Sequence, residues 1–430
     1  MSRSTQIRAY LTFLLTNRRF LAFGLALTFF SSFGQTFFVG VFAIDIRQTF
    51  DLTAGGFGLV YSIATLMSGL TLITVGGWID RTDLRRFASY VCAGLALACV
   101  VIAVSPHVIV LLVGLFLLRF AGQGLMGHTA MTSMARYFDH GRGRAMSIAG
   151  LGHPLGEAIF PTMGVAMLAL LTWRQTWLTY GLVLAVGLIP LILWLLRGQT
   201  VRHGRYVVQM RRHADSAGDS GGTTRHPAWA GRQWTRGEVV RDWRFYCILP
   251  AALAQAFIVT GLLFHQTILI EAKDWTAPLF ASSFVGFAAA QVPASLLSGV
   301  LIDRFSARRL MPFLLWPMAI GVVHLVLFDH PAVAFVFMIF AGLTSGMVNN
   351  IVGTLWAELY GVQHIGAIRA LTSALMVVST SLSPFGMGWL IDRGVSIEVI
   401  ALLCVAYIIA AITLVSAALS IDARQKRRAG

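Results

Sequence analysis

Residues 76–86 read GGWIDRTDLRR, and residues 299–309 read GVLIDRFSARR. Both follow the pattern G-x-x-I-D-R-x-x-x-R-R, 223 positions apart, and each follows a long apolar run. The same offset sets Pro161 against Pro384. Working outward from these copies, apolar segments fall at 20–46, 55–79, 87–105, 108–135, 145–171 and 177–196. After a polar stretch they resume at 245–270, 278–302, 310–328, 332–357, 370–391 and 398–420. One unit of apolar segments is therefore written twice.

The composition says where such a chain can live. Of 430 residues, 57% are hydrophobic and 12% charged, with a mean hydropathy of +0.74. Soluble domains carry roughly 25% charged residues, so an ordinary soluble enzyme, a disordered chain and a fibrous one are all excluded. Backbone inside lipid must satisfy its own hydrogen bonds, and a helix crosses in roughly 20 residues. The expected fold is an all-α membrane protein, with twelve transmembrane helices in two pseudo-symmetric six-helix bundles. The expected layout is a cytoplasmic segment at 1–19, bundles at 20–196 and 245–420, a cytoplasmic linker at 197–244, and a basic cytoplasmic tail at 421–430. The linker is rich in Gly, Ser and Arg and lacks apolar periodicity. The first apolar run is long enough to remain as a spanning helix, so no cleaved signal peptide is expected.

Charge fixes an orientation. With both termini in the cytoplasm, 28 of the 33 Lys and Arg lie on that side. Arg47, Arg174, Lys273 and Arg393 lie on the other, and Arg119 alone sits inside a helix. This is a strong positive-inside bias, and it predicts a multi-pass protein of the cell inner membrane. The net charge of +15 is answered by anionic membrane lipids, and no nucleic-acid partner is expected. Trp78, Trp173, Trp177, Trp275 and Trp389 fall at predicted helix ends, where interface anchors sit. Cys92, Cys99, Cys247 and Cys404 all lie in apolar runs and read as inert thiols. There is no metal-ligand cluster, no phosphate-binding G-x-x-x-x-G-K-[ST], no G-x-S-x-G and no H-E-x-x-H. An enzyme, a cofactor and a metal site are not expected, and the chain reads as a monomer.

The repeated loop resembles the signature of the major facilitator superfamily, G-x-L-A-D-R-x-G-R-K. Gly76, Asp80 and Arg81 match it, as do Gly299, Asp303 and Arg304. Asp83 and Ser306 stand where that pattern has its second glycine, and the paired basic residues come one place later. Arg119 to Gly124 is similar to the family's helix-four segment. The run from Arg142 to Glu157 is similar to helix five of monocarboxylate and oxalate/formate-type members, and loosely to that of proton-driven drug exporters. Helix one has no lysine, and helix eight (278–302) has no Asp or Arg, where carboxylate transporters of that kind usually place charge. The resemblance implies two six-helix bundles working by alternating access, with helices one, four, seven and ten around the cavity. That makes Gln35, His265 and Asn350 implied ligands.

Arg119 is the sharpest single residue. A cation near the membrane centre costs about 3 kcal/mol on insertion scales, so it needs a partner. Counted from opposite ends of antiparallel helices, Arg119 and Glu157 fall at similar depth, and the two are expected to pair. Arg119 and Gln123 share a stripe of helix four with Met126 and Ala130; they are expected to bind substrate, while His128 faces away and packs. His153, Glu157 and Pro161 share a face of helix five, which makes Glu157 a proton carrier with His153 as a relay. Asp80, Arg81, Asp303 and Arg304 are expected to form ionic latches that gate one side, with Glu358 and Arg369 as gate charges flanking the 10–11 loop. The expected function is proton-coupled symport of a small organic anion. Efflux of hydrophobic, drug-like compounds is the alternative, and a non-transporting membrane sensor is the third reading.

Overall fold

The computed structural model describes residues 3–138, 141–199, 202–204 and 233–429, with side chains from residue 12 onward except 80 and 422–429. Every predicted apolar segment is helical. Helix one comprises Arg3–Phe30, a 3-10 turn at Ser31–Gly34, then Thr36–Val41 and Ala43–Phe50. Helices two and three are Ala54–Val75 and Leu84–Val104. Helix four runs from Val108 to Tyr137 through a π-helical stretch at Leu118–Met126. Helix five is Arg142–Gly150 and Gly152–Leu168, and helix six spans Trp173 to Leu195. Helix seven is Trp243–Phe264 with Gln266–Ala272, and helix eight is Ala277–Phe305. Helix nine ends in Trp316–Leu327, and helices ten, eleven and twelve are Ala332–Tyr360, Ile365–Asp392 and Ile397–Ala429.

Among the described residues, eleven of these are long and apolar enough to cross a membrane. The twelfth, helix five, falls short because it breaks at Leu151 between two glycines. Gly152 and Gly156 lie against the Thr28 and Ser32 turns of helix one, so closely that a Cβ on Gly156 would sit 2.8 Å from the Phe29 carbonyl oxygen. Small residues four apart permit this approach in lipid, and the Thr28 hydroxyl seals it with a bond to the Ala149 carbonyl.

The helices extend beyond the apolar segments. Helix one begins at Arg3 rather than near 20, and helix twelve continues through the basic tail to Ala429. The linker is ordered at both ends. His203 Nδ1 is 3.1 Å from Tyr137 Oη, and Arg202 lies over the Phe20 ring. At the other end, the Trp234 amide donates to the Tyr360 carbonyl at 3.0 Å. Thr235 and Glu238 then form a capping box for Arg236–Val240. Residues 205–232 of the expected linker lie outside the described residues.

The chain forms two compact units. The first contains Met1–Gln35, Met67–Gly156 and Leu171–Arg225; the second contains Thr36–Leu66, Glu157–Leu170 and His226–Gly430. Within the first, helix three packs on helices four and six, and helix one on helices four and five. Within the second, helix eight packs along helix ten, helix nine on ten and twelve, and helix seven on eleven and twelve. The second unit also holds the later part of helix one, where Gln266 Nε2 donates to the Phe37 carbonyl at 2.7 Å. Three of the five tryptophans point inward rather than to the interface. Trp173, Trp177 and Trp275 are buried, and Trp275 Nε1 donates to the Asp329 carbonyl. Trp78 and Trp389 are exposed as expected.

Candidate functional site

Two irregular stretches of the first unit, in helices one and four, lie against each other. Helix one stops in the 3-10 turn Ser31–Gly34, and Gln35 is extended, with φ −83° and ψ 150°. A helix that stops leaves carbonyls without partners. Opposite lies the π-helical stretch of helix four, a wide turn of the kind found at functional sites. Gly34 makes the approach possible, since a Cβ there would lie 2.7 Å from the Leu118 carbonyl oxygen. Arg119 opens this stretch, is 2% exposed, and donates through Nη1 to the Gly34 carbonyl at 2.9 Å.

This geometry answers the burial of the guanidinium. A hydrogen bond involving a charged group contributes about 1.5–3 kcal/mol, and a cation at a helix C-terminal end gains about 0.3–1 kcal/mol more. Together they are comparable to the insertion penalty of about 3 kcal/mol. Depth along the helices suggested Glu157 as the partner of Arg119, and Gly34 supplies a carbonyl in addition. Arg119 binds a backbone carbonyl, while Glu157 Oε2 is buried without a hydrogen-bond partner.

His153 reaches the same turn from helix five, with Nδ1 3.2 Å from Ser31 Oγ. The Ser31 hydroxyl has one proton and gives it to the Thr28 carbonyl at 2.6 Å. His153 therefore donates from Nδ1, leaving its lone pair on Nε2. Gln35 and Gln123 are half-buried beside the break and the π stretch. His128 bonds the Gly76 carbonyl at 3.0 Å, where helix two ends.

Two expected ligands are bonded to neighbouring helices. His265, 3% exposed, bonds the Pro384 carbonyl through Nε2 at 2.9 Å. Asn350 Nδ2 donates to Ser298 Oγ at 2.8 Å and to the Ser295 carbonyl at 3.0 Å, joining helix ten to helix eight.

The repeated loops carry most of the expected gate residues. The side chain of Asp80 lies outside the described residues. Arg81, Asp303 and Arg304 are exposed, and Arg304 lies over the Phe305 ring. Among the described side chains, Asp83 and Glu358 are carboxylates that bind these loops. Asp83 Oδ1 accepts from the Arg85 and Arg86 amides at 3.0 and 3.2 Å. Glu358 reaches from helix ten to accept from the Ala307 and Arg308 amides at 2.9 and 3.1 Å, and Arg308 Nη2 donates to its carbonyl. Arg136, at the end of helix four, donates to the Ile79 carbonyl at 3.1 Å. Arg369 donates to the Gly353 carbonyl at 3.2 Å. Asp83 as a cap was open to sequence reasoning, since Asp directly before a helix is the usual N-cap.

Comparison with known proteins agrees with this architecture. A family model described as Major Facilitator Superfamily matches residues 24–286 and 267–430. No curated protein matches the chain in sequence. Among solved structures, a bacterial homologue of the human lysosomal transporter Spinster, inward-facing and unoccupied, is 17% identical with a TM-score of 0.64 over 94% of each chain. The same homologue in its occupied form gives 0.65 at 17% identity, over 94% of this chain and 96% of that one. The nucleoside transporter NupG, in mutant form, gives 0.63 at 16% identity, over 93% of this chain and 99% of that one.

Proposed function

The chain belongs to the Major Facilitator Superfamily and is a multi-pass membrane protein and secondary transporter of small solutes; from that premise we propose that it carries a small organic anion coupled to protons. The basic loops face the cytoplasm of the cell inner membrane, and the working bodies are the bundles 20–196 and 245–420, alternating access between the two sides. The observation that carries this reading is the buried Arg119 guanidinium bonded to the Gly34 carbonyl at the break in helix one. An arriving carboxylate meets a cation already stripped of water, and it competes with a neutral carbonyl for a charge-assisted bond. Gln35 and Gln123 flank that position, and His153, held by Ser31, presents an open Nε2. Glu157 carries the proton.

Purified protein in liposomes tests this. An inward-directed proton gradient is expected to drive uptake of small carboxylates, and Arg119→Ala is expected to lower that uptake about tenfold or more, the equivalent of one charged hydrogen bond. Gradient-driven uptake that survives Arg119→Ala undiminished refutes the anion site. A second reading, proton-coupled efflux of hydrophobic compounds, draws on the aromatic edge of the same break. There the Phe29 and Phe30 rings meet at 5.1 Å and those of Phe30 and Phe33 at 6.3 Å. It predicts dye efflux that depends on Glu157 and tolerates Arg119→Ala.

A further inference from the structure

On the face away from the basic loops, helix two begins at Ala54 and helix eleven ends at Asp392. The first amides of a helix have no partner within it. Here the Gly56 amide is taken locally by Thr53 Oγ1 at 3.0 Å, whereas the Gly55 amide donates to Asp392 Oδ2 at 2.9 Å. The two backbones touch beneath this bond, so closely that a Cβ on Gly388 would lie 2.6 Å from the Ala54 carbonyl oxygen. A carboxylate supplied by one helix thus caps the start of another, where the helix dipole favours negative charge.

The internal repeat shows that this contact belongs to one half only. At the offset of 223, Thr53 and Gly56 correspond to Thr276 and Leu279. That local cap is kept, since Thr276 Oγ1 accepts from the Leu279 amide at 3.4 Å. Gly55, however, corresponds to Pro278, which has no N–H to donate, and Asp392 corresponds to Ala169, which has no carboxylate. Both halves of the bond are absent from the related seam of helices five and eight, where Thr162 Oγ1 reaches the Ala281 carbonyl only at 3.4 Å.

We propose that Asp392 is a one-sided latch: its carboxylate pins helix eleven to the start of helix two and holds this face of the transporter shut. The proposal deepens the alternating-access reading and rests on it. Asp392 touches no substrate; it is a positioning residue that sets the balance between closed and open forms.

The test uses the full-length chain in lipid nanodiscs, with the four cysteines replaced and spin labels at Thr49 and Val399, both exposed. Pulsed electron–electron distance measurement reads the ratio of long to short separations. Asp392→Asn and Asp392→Ala are each expected to raise that ratio about threefold to tenfold, the range of a lost helix cap. Asp392→Glu and Arg393→Ala are expected to leave it within about twofold. A ratio unchanged in both Asp392→Asn and Asp392→Ala, or raised equally by Arg393→Ala, overturns the latch. A wild-type distribution that never responds to solute or proton gradient, while Asp392→Asn still shifts it, strikes the transport reading and leaves the latch standing.

Discussion

In residues 76–86 the carboxylate that caps the next helix is local, and in residues 299–309 it arrives from another helix. Asp83 caps helix three from its own N-cap position. Its repeat counterpart Ser306 makes no side-chain cap, and Glu358 of helix ten does that work instead. The sign of the tie from the neighbouring helix reverses accordingly. Helix four lends a cation, Arg136, to a loop carbonyl; helix ten lends an anion to loop amides. The backbone differs as well, with Asp83 at φ −55° and Ser306 at φ +69°. One repeated pattern is thus closed in two chemically opposite ways. A loop capped from within holds its shape by itself, and a loop capped from helix ten holds it only while helix ten is in place.

The largest expected effect tests that dependence. Glu358→Ala strips the cap from the Ala307 and Arg308 amides and keeps the backbone carbonyl that Arg308 Nη2 binds. It should cost about 2–3 kcal/mol of local stability, read as faster hydrogen exchange at Ala307–Leu310 with helix three unaffected. Asp83→Ala should cost about 1 kcal/mol and act only at the start of helix three; equal loosening of both loops by either variant would erase the distinction. The smallest effects are expected from glycine, with opposite signs at the two related positions. Ser306→Gly relieves a left-handed serine and should stabilise its loop by about 0.5–1 kcal/mol. Asp83→Gly should destabilise by a few tenths of a kcal/mol. Matching signs in exchange rates would show that the two turns are alike after all.

The architecture was open to sequence reading because it rests on apolar runs, charge bias and a repeat, all of which are properties of the chain itself. Asp83 and Ser306 could be singled out as the places where the repeated loop departs from its pattern, although the opposite turn chemistries could not. Arg119 was identifiable because a lone cation in an apolar run is costly wherever it lands. Its bond to Gly34 was not, because Gly34 offers only a backbone carbonyl, and any residue could have stood in that role. The break at Ser31–Gly34 has no proline to announce it; it depends on glycine contacts made by helices four and five. Glu358 could be seen as a charge near a loop, but its reach to residues 51 and 50 positions earlier in the chain is a fact of folding. His265 and Asn350 were chosen as polar groups on cavity-lining helices, and the same polarity suits them to join helices.

The two ordered ends of the linker fasten to Tyr137 and Tyr360, which stand at the same place in the two repeats. Each six-helix repeat therefore keeps its own anchor for the peptide that joins them. A gene divided between the codons for His203 and Gln233 would yield two polypeptides, each still bearing its own mooring.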